Sequence, residues 1–279
     1  MTRDASKTAL GVCALRAVHQ LVDGFPKILD DPIAAQLLDA DVRERIRGHA
    51  GEALDPRAAG LRSHVVLRSR YTEDHLAAAA GRGVRQYAIL GAGFDTFAYR
   101  QPAWARDLRI WEVDHPASQH EKRRRLEVAG LALPPNLELV PIDFETTSLR
   151  DGLRASSLDF TSPAFFACLG VLVYLTRDAA RAIFELVASF PPGSEIAFTF
   201  SLPTSADSDL AEKARSLGEP WLTHFDPPSL TRELQDLGFA EVSILDLEEA
   251  ARTYYADRTD GLQPPRRGGI ASAVVGRSR

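Results

Sequence analysis

A glycine-rich turn after a short apolar segment constrains the fold of this chain more than any other feature. Val84–Leu90 is predicted to form a buried strand, and it runs directly into Gly91, Ala92 and Gly93. Glycines at the end of a strand permit a tight turn and let a ligand come close to the backbone. Because ligands of open α/β sheets bind at the carboxyl ends of the strands, the turn predicts a ligand site at that edge.

The chain after this turn alternates between predicted strands and predicted helices. Such alternation indicates a mostly parallel sheet with helices on both faces. The predicted strands are Val84–Leu90, Leu108–Val113, Leu137–Ile142, Ala164–Val173, Ser194–Phe200, Val242–Leu247 and Ile270–Val275. The predicted helices between them are Pro116–Ala129, Leu149–Ala155, Arg177–Phe190, Asp207–Leu217 and Pro228–Leu237.

The chain before the turn is predicted to be helical. We divide the protein into a helical N-terminal cap, residues 1–60, and an α/β core, residues 61–279. A chain of 279 residues has room for one large domain with such an extension. The predicted elements of this region are a helix from Ser6 to Val22, a turn-rich segment Asp23–Pro32, short helices at Pro32–Leu38 and Asp41–Gly48, and a long helix at Ala58–Ala80.

Composition excludes several classes of protein. The formal net charge of −5, from 33 basic and 38 acidic residues, argues against a dedicated nucleic-acid binder. Two cysteines, Cys13 and Cys168, are too few for a disulfide scaffold or a four-cysteine zinc site. The apolar stretch Phe165–Leu175 is shorter than the about 20 residues that span a bilayer, and no secretory signal is evident. We therefore expect a cytoplasmic protein with no metal, membrane or nucleic-acid partner, and the oligomeric state stays open.

Acidic residues follow the next two predicted strands. Glu112 and Asp114 lie 21 and 23 positions after Gly91, near the spacing at which an acid usually holds ribose hydroxyls. Asp143, followed by the aromatic Phe144, ends the third strand and could accept a hydrogen bond from an adenine amino group. Each acid taken singly is as readily a helix cap or turn residue, but their joint register predicts a nucleoside site.

The kind of nucleotide follows from what the turn lacks. The dinucleotide fingerprint requires a third glycine where this chain has Thr96, and no phosphate-binding Gly-Lys-Ser/Thr sequence is present. A cofactor with a nucleoside and no phosphates fits best, which favours S-adenosylmethionine. An NAD-dependent oxidoreductase remains an alternative that Thr96 disfavours.

A series of short motifs, in this order along the chain, resembles the bacterial S-adenosylmethionine-dependent methyltransferases of the leucine carboxyl methyltransferase family, which includes polyketide carboxyl methyltransferases. The resemblance implies a class I methyltransferase (Rossmann-like) fold, with a seven-stranded sheet whose last strand is antiparallel. The motifs are Ser6-Lys7-Thr8-Ala9, Asp30-Asp31-Pro32, Arg68-Ser69-Arg70-Tyr71, Gly91-Ala92-Gly93-Phe94-Asp95-Thr96, Glu112-Val113-Asp114-His115-Pro116, Asp143-Phe144 and Gly170-Val171-Leu172-Val173-Tyr174-Leu175.

The same resemblance implies a cofactor and the residues that hold it. S-adenosyl-L-methionine is expected to lie beside the glycine turn, with its ribose at an acid of the E-V-D motif. Its adenine is expected at the acid-plus-apolar pair after the third strand, and its methionine carboxylate near two basic residues. By position these residues are Gly91 and Gly93, then Asp114, then Asp143 and Phe144, then Arg68 and Lys7.

One departure from the family pattern bears on function. Relatives often carry Trp or Glu before the Gly-Val of the fourth strand, where this chain has Cys168 and Leu169. We expect an O-methyltransferase that acts on a carboxylate or hydroxyl of a small molecule of secondary metabolism, with no catalytic residue assigned. The departure also motivates an alternative, a non-catalytic cofactor-binding or interaction protein on the same fold.

Polar side chains on the long helix are candidates for the rest of the active site. His64, Arg68, Tyr71 and His75 recur at spacings of three and four, which places them on one helix face. This face is interpreted as a polar wall of the site, and a solvated or capping face is the alternative. The run Lys122–Arg125 is interpreted as a solvated helix face. The insert Ser201–Pro228, with Trp221, His224 and Phe225, is a candidate for acceptor binding, and ordinary packing is its alternative.

Overall fold

A seven-stranded sheet forms the centre of the computed structural model. The structure describes residues 7–48, 55–143, 147–203, 209–216, 218–266 and 268–276. The strand order is β3-β2-β1-β4-β5-β7-β6. The strands are β1 (Gln86–Leu90), β2 (Arg109–Asp114), β3 (Leu137–Pro141), β4 (Ala164–Cys168), β5 (Glu195–Phe200), β6 (Phe239–Ile244) and β7 (Gly269–Val275).

The pairing of the strands confirms the predicted fold class. β1 to β5 run parallel, and β7 lies antiparallel between β5 and β6. The strand order reverses between β1 and β4, since the chain builds outward to β2 and β3 on one side before it crosses to β4. Loops that follow the two strands diverge at such a reversal and leave a cleft at the carboxyl edge.

Helices cover both faces of the sheet. Because successive strand residues point to opposite sides, each strand packs against both layers of helices. Phe165 of β4 packs with Leu76 and Ala79 on one face, while Phe166 packs with Phe184 and Leu230 on the other. The helices in the described ranges are α1 (Lys7–Val22), α2 (Ala40–Gly48), α3 (Pro56–Gly81), α4 (Pro116–Val128), α5 (Leu149–Arg154), α6 (Arg177–Ala188), α7 (Asp209–Ser216), α8 (Pro227–Asp236) and α9 (Leu247–Ala250).

Two predicted strands have different bounds in the structure. The predicted strand Ala164–Val173 ends at Cys168, because Gly170 has a φ of +74° and Leu172–Tyr174 forms a 3₁₀ turn. The sixth strand lies three residues before its predicted position. Asp246, inside the predicted strand, instead accepts a hydrogen bond from the backbone N–H of Glu249 and caps α9.

The predicted helix at Pro32–Leu38 is a series of turns. Asp31 lies just before it and is fully buried, with a carboxylate oxygen that accepts from the backbone N–H of Ala34 at 3.1 Å. The same carboxylate pairs with Arg16 of α1 at 3.0 Å and accepts from Thr96 Oγ1 at 2.8 Å. These bonds hold the segment against the glycine turn, and its backbone follows the side-chain contacts rather than a helical path.

The N-terminal region is joined to the rest of the molecule through α3. Asp23, between α1 and α2, forms a two-pronged ion pair with Arg62 of α3, at 2.8 Å for both bonds, and contacts His19 at 2.6 Å. The division proposed at residue 60 falls within α3, whose later turns pack on the sheet. No helix in the described parts of the chain combines the length and apolarity needed to cross a membrane.

Candidate cofactor and acceptor site

The glycine turn after β1 is fixed by hydrogen bonds and by close neighbours. The backbone N–H groups of Gly91 and Ala92 donate to the carbonyl of Val113 at 2.8 and 3.1 Å. Gly91 has a φ of +69°, and a Cβ placed there would lie 2.3 Å from the Val171 side chain. Gly93 has a φ of +48°, and a Cβ there would lie 3.1 Å from the side chain of Ala9 in α1. Only glycine fits both the backbone conformation and the space.

Asp114 is the last residue of β2, and its carboxylate is oriented by backbone donors at the cleft. One oxygen accepts from the N–H of Gly93 at 2.5 Å, and the other accepts from the N–H of His115 at 2.6 Å. The side chain is partly exposed, and each oxygen keeps a second lone pair. This arrangement can accept from two vicinal hydroxyl groups of a ribose.

Glu112, the other acid considered for the ribose, is not available for it. Its side chain is buried, and Lys122 Nζ of α4 binds it at 2.6 Å. Burial raises the pKa of Glu112 to about 7, while the charge of Lys122 opposes that rise. The predicted solvated face Lys122–Arg125 is therefore wrong for Lys122 and for Arg125, which are both buried.

The carboxyl ends of β2 and β3 bring Asp143 close to Asp114. The N–H of Ile142 donates to the carbonyl of Asp114 at 2.9 Å, which places Asp143 at the same edge. The His115 ring lies alongside, with Nδ1 accepting from the N–H of Ala117 at 3.1 Å and Nε2 3.9 Å from the Asp143 carboxylate. Phe144, predicted to flank the adenine, lies outside the described residues.

Arg68 projects from α3 toward the loop that follows β4. Its guanidinium lies 2.9 Å from the position that a Cβ on Gly170 would occupy. Burial first, and then the charge of Arg16, lower the pKa of Arg68 to about 10, so it is charged at neutral pH. No carboxylate within the described ranges pairs with Arg68. A partly buried cation without a counterion fits the carboxylate end of S-adenosylmethionine. Lys7 begins α1, and its side chain lies outside the described part of the structure.

The predicted polar face of α3 is divided between the two edges of the sheet. Its residues His64, Arg68, Tyr71 and His75 span 11 positions, which is about 16 Å along a helix. Arg68 lies at the carboxyl edge, but the Tyr71 hydroxyl bonds to Ser272 Oγ at 3.0 Å inside the sheet. His75 binds Glu195, the first residue of β5, at 2.6 Å and therefore lies at the opposite edge. The interpretation as a wall of the site is wrong for Tyr71 and His75.

His64 remains at the carboxyl edge, one turn before Arg68. A Cβ on Gly268, the residue before β7, would lie 2.9 Å from its ring. Its Nδ1 atom is buried and has no hydrogen-bond partner among the residues that the structure describes. Burial, with a smaller contribution from the charge of Arg68, lowers the pKa of His64 to about 3. The imidazole is therefore neutral at neutral pH.

Sequence reasoning missed two further polar groups on this side, Tyr174 and Glu219. Burial raises the pKa of Tyr174, Thr8 and Trp221 oppose the rise, and the charge of Glu219 adds to it, so these groups are near neighbours. One carboxylate oxygen of Glu219 is buried and has no donor in the described ranges. Tyr174 stands in the motif Gly170–Leu175, but no role was predicted for it, and Glu219 stands in no motif. The 3₁₀ turn after β4 places Tyr174 on this side.

Trp221, in the insert between β5 and β6, lies on the same side of the cleft as Tyr174 and Glu219. The N–H of Leu222 donates to the carbonyl of Val173 at 2.7 Å, which positions Trp221 beside Tyr174. Phe225 is instead buried in the core against Phe184 and Phe200.

Comparison with known proteins agrees with this geometry. The sequence profile described as leucine carboxyl methyltransferase matches residues 9–188. The chain belongs to the leucine carboxyl methyltransferase family. It is 31% identical over 93% of its length, and 94% of the other chain, to a Bacillus subtilis (strain 168) protein, YktD, assigned as an S-adenosyl-L-methionine-dependent methyltransferase. A Mycolicibacterium gilvum protein with the same assignment is 34% identical over 80% of this chain and 75% of its own.

Solved structures of this family's fold extend over almost the whole chain. A methyltransferase structure from Thermobifida fusca has a TM-score of 0.58 at 22% identity and covers 93% of this chain and 97% of its own. A DUF574 family protein from Streptomyces avermitilis has a TM-score of 0.58 at 16% identity and covers 98% of both chains. At these identities the similarity shows the fold alone.

This leucine carboxyl methyltransferase family member is therefore an S-adenosylmethionine-dependent methyltransferase with a class I, Rossmann-like fold. The family, the fold class and the cofactor predicted from the sequence are confirmed. The two alternatives, an NAD-dependent oxidoreductase and a non-catalytic protein, are wrong. Among the described residues, no group of histidine, cysteine and acidic side chains could hold a metal ion.

Proposed function

We propose that this enzyme transfers the methyl group to an oxygen atom, of a carboxylate or a hydroxyl, on a small molecule of secondary metabolism in the cytoplasm. The observation that carries the proposal is the polar character of the acceptor side, the part of the cleft formed by His64, Tyr174, Glu219 and Trp221. Three polar atoms there, on His64, Glu219 and Trp221, are buried without a partner in the described ranges. Burial of such atoms is costly unless a ligand pairs with them, which favours a polar acceptor.

The cofactor is proposed to lie on the other part of the cleft, with a separate group for each of its ends. Arg68 would bind the methionine carboxylate through charge-assisted hydrogen bonds, with Lys7 as a second cation. Asp114 would accept from the ribose hydroxyls. The glycines Gly91 and Gly93 would pass beneath the cofactor, and Asp143 with Phe144 would hold the adenine. Support comes from the orientation of Asp114 by two backbone donors and from the absence of a described counterion for Arg68.

The chemistry of the transfer sets what the protein must do. When bound, S-adenosylmethionine supplies a methyl group on a positively charged sulfur. The protein has to place the acceptor oxygen in line with that group at about 3–3.5 Å and exclude water. A carboxylate is already ionised near neutral pH and needs only to be oriented, whereas a hydroxyl also needs a group that removes its proton.

The N-terminal cap, residues 1–60, is proposed to cover the acceptor. α1 already contacts the site at two points. Ala9 lies against Gly93 of the glycine turn, and Thr8 lies beside the hydroxyl of Tyr174. A helix in this position would exclude water from the reacting atoms.

Titration calorimetry with S-adenosylhomocysteine tests the cofactor residues. Binding is expected for the wild type, and Asp114→Ala and Asp143→Ala each should weaken it at least about tenfold, since each removes a hydrogen bond to the nucleoside. Asp107→Ala is the matched control, because Asp107 is exposed at the opposite edge of the sheet, two residues before β2. Failure of the wild type to bind the product would refute the proposed site.

A screen with a tritiated methyl donor tests the acceptor. The labelled product is expected to carry the methyl group on oxygen, as an ester or an ether. Label found on nitrogen, sulfur or carbon would contradict the proposed O-methylation.

A further inference from the structure

The methionine end of the cofactor carries an amino group as well as a carboxylate. Both groups stand on the same carbon atom, so the amino group lies next to whatever binds the carboxylate, which is proposed to be Arg68. With an ordinary pKa of about 8, the amino group is protonated and positively charged at neutral pH. A cation held away from water needs an anion beside it. β4 offers none where it ends near Arg68, since Cys168 is buried and Leu169 packs against the core.

Asp95, in the glycine turn, presents a carboxylate with one oxygen to spare. Its Oδ1 atom accepts from the backbone N–H of Phe97 at 2.8 Å, and its own N–H donates to the carbonyl of Ala92 at 2.7 Å. These two bonds fix the side chain relative to the turn. The Oδ2 atom has no partner among the described residues, and Asp95 is partly exposed. The turn therefore holds one oriented carboxylate oxygen that a ligand can reach.

Asp95 and Arg68 are the two charges of this region that the protein does not pair. The other arginines whose charges act together with that of Asp95 each have a carboxylate of their own. These pairs are Arg16 with Asp31 and Arg100 with Glu73. By contrast, neither Arg68 nor Asp95 forms an ion pair in the described ranges, with each other or with a third residue.

The two unpaired charges are nevertheless near enough to act on each other. Burial lowers the pKa of Arg68, and the charge of Asp95 is among the effects that oppose this. A cation and an anion that interact without touching leave a space between them for a ligand with both charges. The methionine end of the cofactor is such a ligand, because it is a zwitterion at neutral pH.

We propose that Asp95 Oδ2 binds the ammonium group of the cofactor, while Arg68 binds the carboxylate on the same carbon. The inference rests on the proposed cofactor site and adds to it the residue that recognises the amino group. It also gives a reason for the absence of a direct pair between Arg68 and Asp95, since such a pair would occupy the position of the zwitterion. Charge-assisted hydrogen bonds at both groups would make binding depend on both.

Three ligands separate the contributions of the two charges. S-adenosylhomocysteine carries both, its deamino analogue has hydrogen in place of the amino group, and its decarboxy analogue has hydrogen in place of the carboxylate. Titration calorimetry with the full-length wild-type enzyme should show that loss of the amino group weakens binding at least about tenfold, since it leaves Asp95 without its partner.

Asp95→Asn isolates the role of the carboxylate. Asparagine keeps an oxygen that can accept from the N–H of Phe97, so the turn is preserved, but it has no charge. Affinity for S-adenosylhomocysteine should fall at least about tenfold, whereas affinity for the deamino analogue should stay within about twofold of wild type. Asp107→Asn is the matched control, since Asp107 is exposed at the opposite edge of the sheet, and it should bind all three ligands as the wild type does.

Arg68→Leu should give the converse pattern. Removal of the guanidinium should weaken S-adenosylhomocysteine and the deamino analogue at least about tenfold, because both carry the carboxylate. The decarboxy analogue should not be weakened. The two variants together would thus assign one charge of the zwitterion to each residue.

Equal losses for S-adenosylhomocysteine and the deamino analogue in Asp95→Asn would overturn the inference, because they would show that Asp95 only supports the turn. Unchanged affinity in Asp95→Asn, or equal binding of the two ligands by the wild type, would overturn it as well. Failure of the proposed function is distinguishable from these results, since the wild type would then bind none of the three ligands.

Discussion

The two halves of the carboxyl edge differ in how the polar groups proposed to meet a ligand are held. In the cofactor half, at the ends of β1 to β3, both oxygens of Asp114 accept from backbone N–H groups. In the acceptor half, at the ends of β4 and β5 and the start of β7, three polar atoms have no partner within the described ranges: His64 Nδ1, Trp221 Nε1 and an oxygen of Glu219. The acid proposed for the ribose is thus oriented by the protein alone, whereas the acceptor half leaves polar atoms to be paired by a ligand.

The two halves obtain their specificity in different ways. Backbone donors cannot rotate away, so a carboxylate held by them presents a fixed geometry to a cofactor that is the same in every turnover. A side chain without a partner costs about 1–3 kcal/mol when buried, and a ligand that supplies the missing partner recovers that energy. The acceptor half therefore selects its ligand by the groups it leaves unpaired.

Both halves are anchored to the N-terminal region by a buried carboxylate. Asp31 binds Arg16 and Thr96 behind the glycine turn, in the cofactor half. Asp23 binds Arg62, two residues before His64, in the acceptor half. Removal of either carboxylate is therefore expected to disturb one half of the edge more than the other.

The largest effect is expected for Asp31→Ala. It leaves the buried Arg16 without its counterion and removes the bonds to Thr96 and Ala34, which should lower the free energy of unfolding by about 3–5 kcal/mol. Urea denaturation measures the loss. The control is Asp41→Ala, whose exposed ion pair with Arg45 should contribute about 1 kcal/mol or less. Equal losses in the two variants would show that Asp31 is not an anchor.

A smaller effect, confined to the cofactor half, is expected for Gly91→Ala. The new Cβ would meet Val171 at 2.3 Å, and the resulting shift of the turn should weaken S-adenosylhomocysteine binding about 10- to 100-fold. Gly130→Ala is a matched control, because Gly130 has the same φ of +69° but no atom within 4 Å of a Cβ. Calorimetry should therefore detect a loss only at Gly91. A similar loss at both sites would indicate backbone strain instead.

The anchor of the acceptor half is expected to depend on pH. Burial opposes ionisation of Asp23, but His19 and Arg62 outweigh it and lower the pKa to about 2. Because this value is below the about 3.9 of an unfolded chain, Asp23 stabilises the protein above pH 4 by about 2 kcal/mol, and that contribution is lost as the pH falls toward 2. Urea denaturation between pH 5 and pH 2.5 should show a steeper decline for the wild type than for Asp23→Asn. An unchanged slope in Asp23→Asn would contradict this.

The smallest effect is expected for Tyr71→Phe, which tests where the site ends along α3. Loss of the bond to Ser272 should cost about 1 kcal/mol of stability. Methyl transfer and product affinity should stay at wild-type values, whereas Arg68→Leu on the same face should weaken product binding at least about tenfold. A large loss of activity in Tyr71→Phe would place Tyr71 in the site after all.

The sequence predicted the sheet and the glycine turn well because both are encoded locally. Buried parallel strands are short apolar runs, and Gly91 stands where the strand must turn. The predicted fourth strand, Ala164–Val173, is too long because the apolar run continues from Gly170 through Tyr174. Only the positive φ of Gly170 and the approach of Arg68 show that the backbone leaves the sheet there.

Only the tertiary structure distinguishes the roles of similar side chains that the sequence pattern treats alike. Glu112 and Asp114 stand two residues apart on the same strand, and spacing alone admits both as ribose ligands. The packing of α4 buries Glu112 against Lys122 and leaves Asp114 at the edge. His64 and His75 likewise share a helix face, but the length of α3 places them at opposite edges of the sheet.

The amino-acid sequence was therefore enough to predict the fold class, the family and the cofactor, since these depend on short motifs in a fixed order. The tertiary structure decided which polar groups are paired within the protein and which are left at the cleft. That distinction depends on burial and on contacts between residues far apart in the chain, such as Asp23 with Arg62 and His64 with Gly268. No local pattern of residues encodes it.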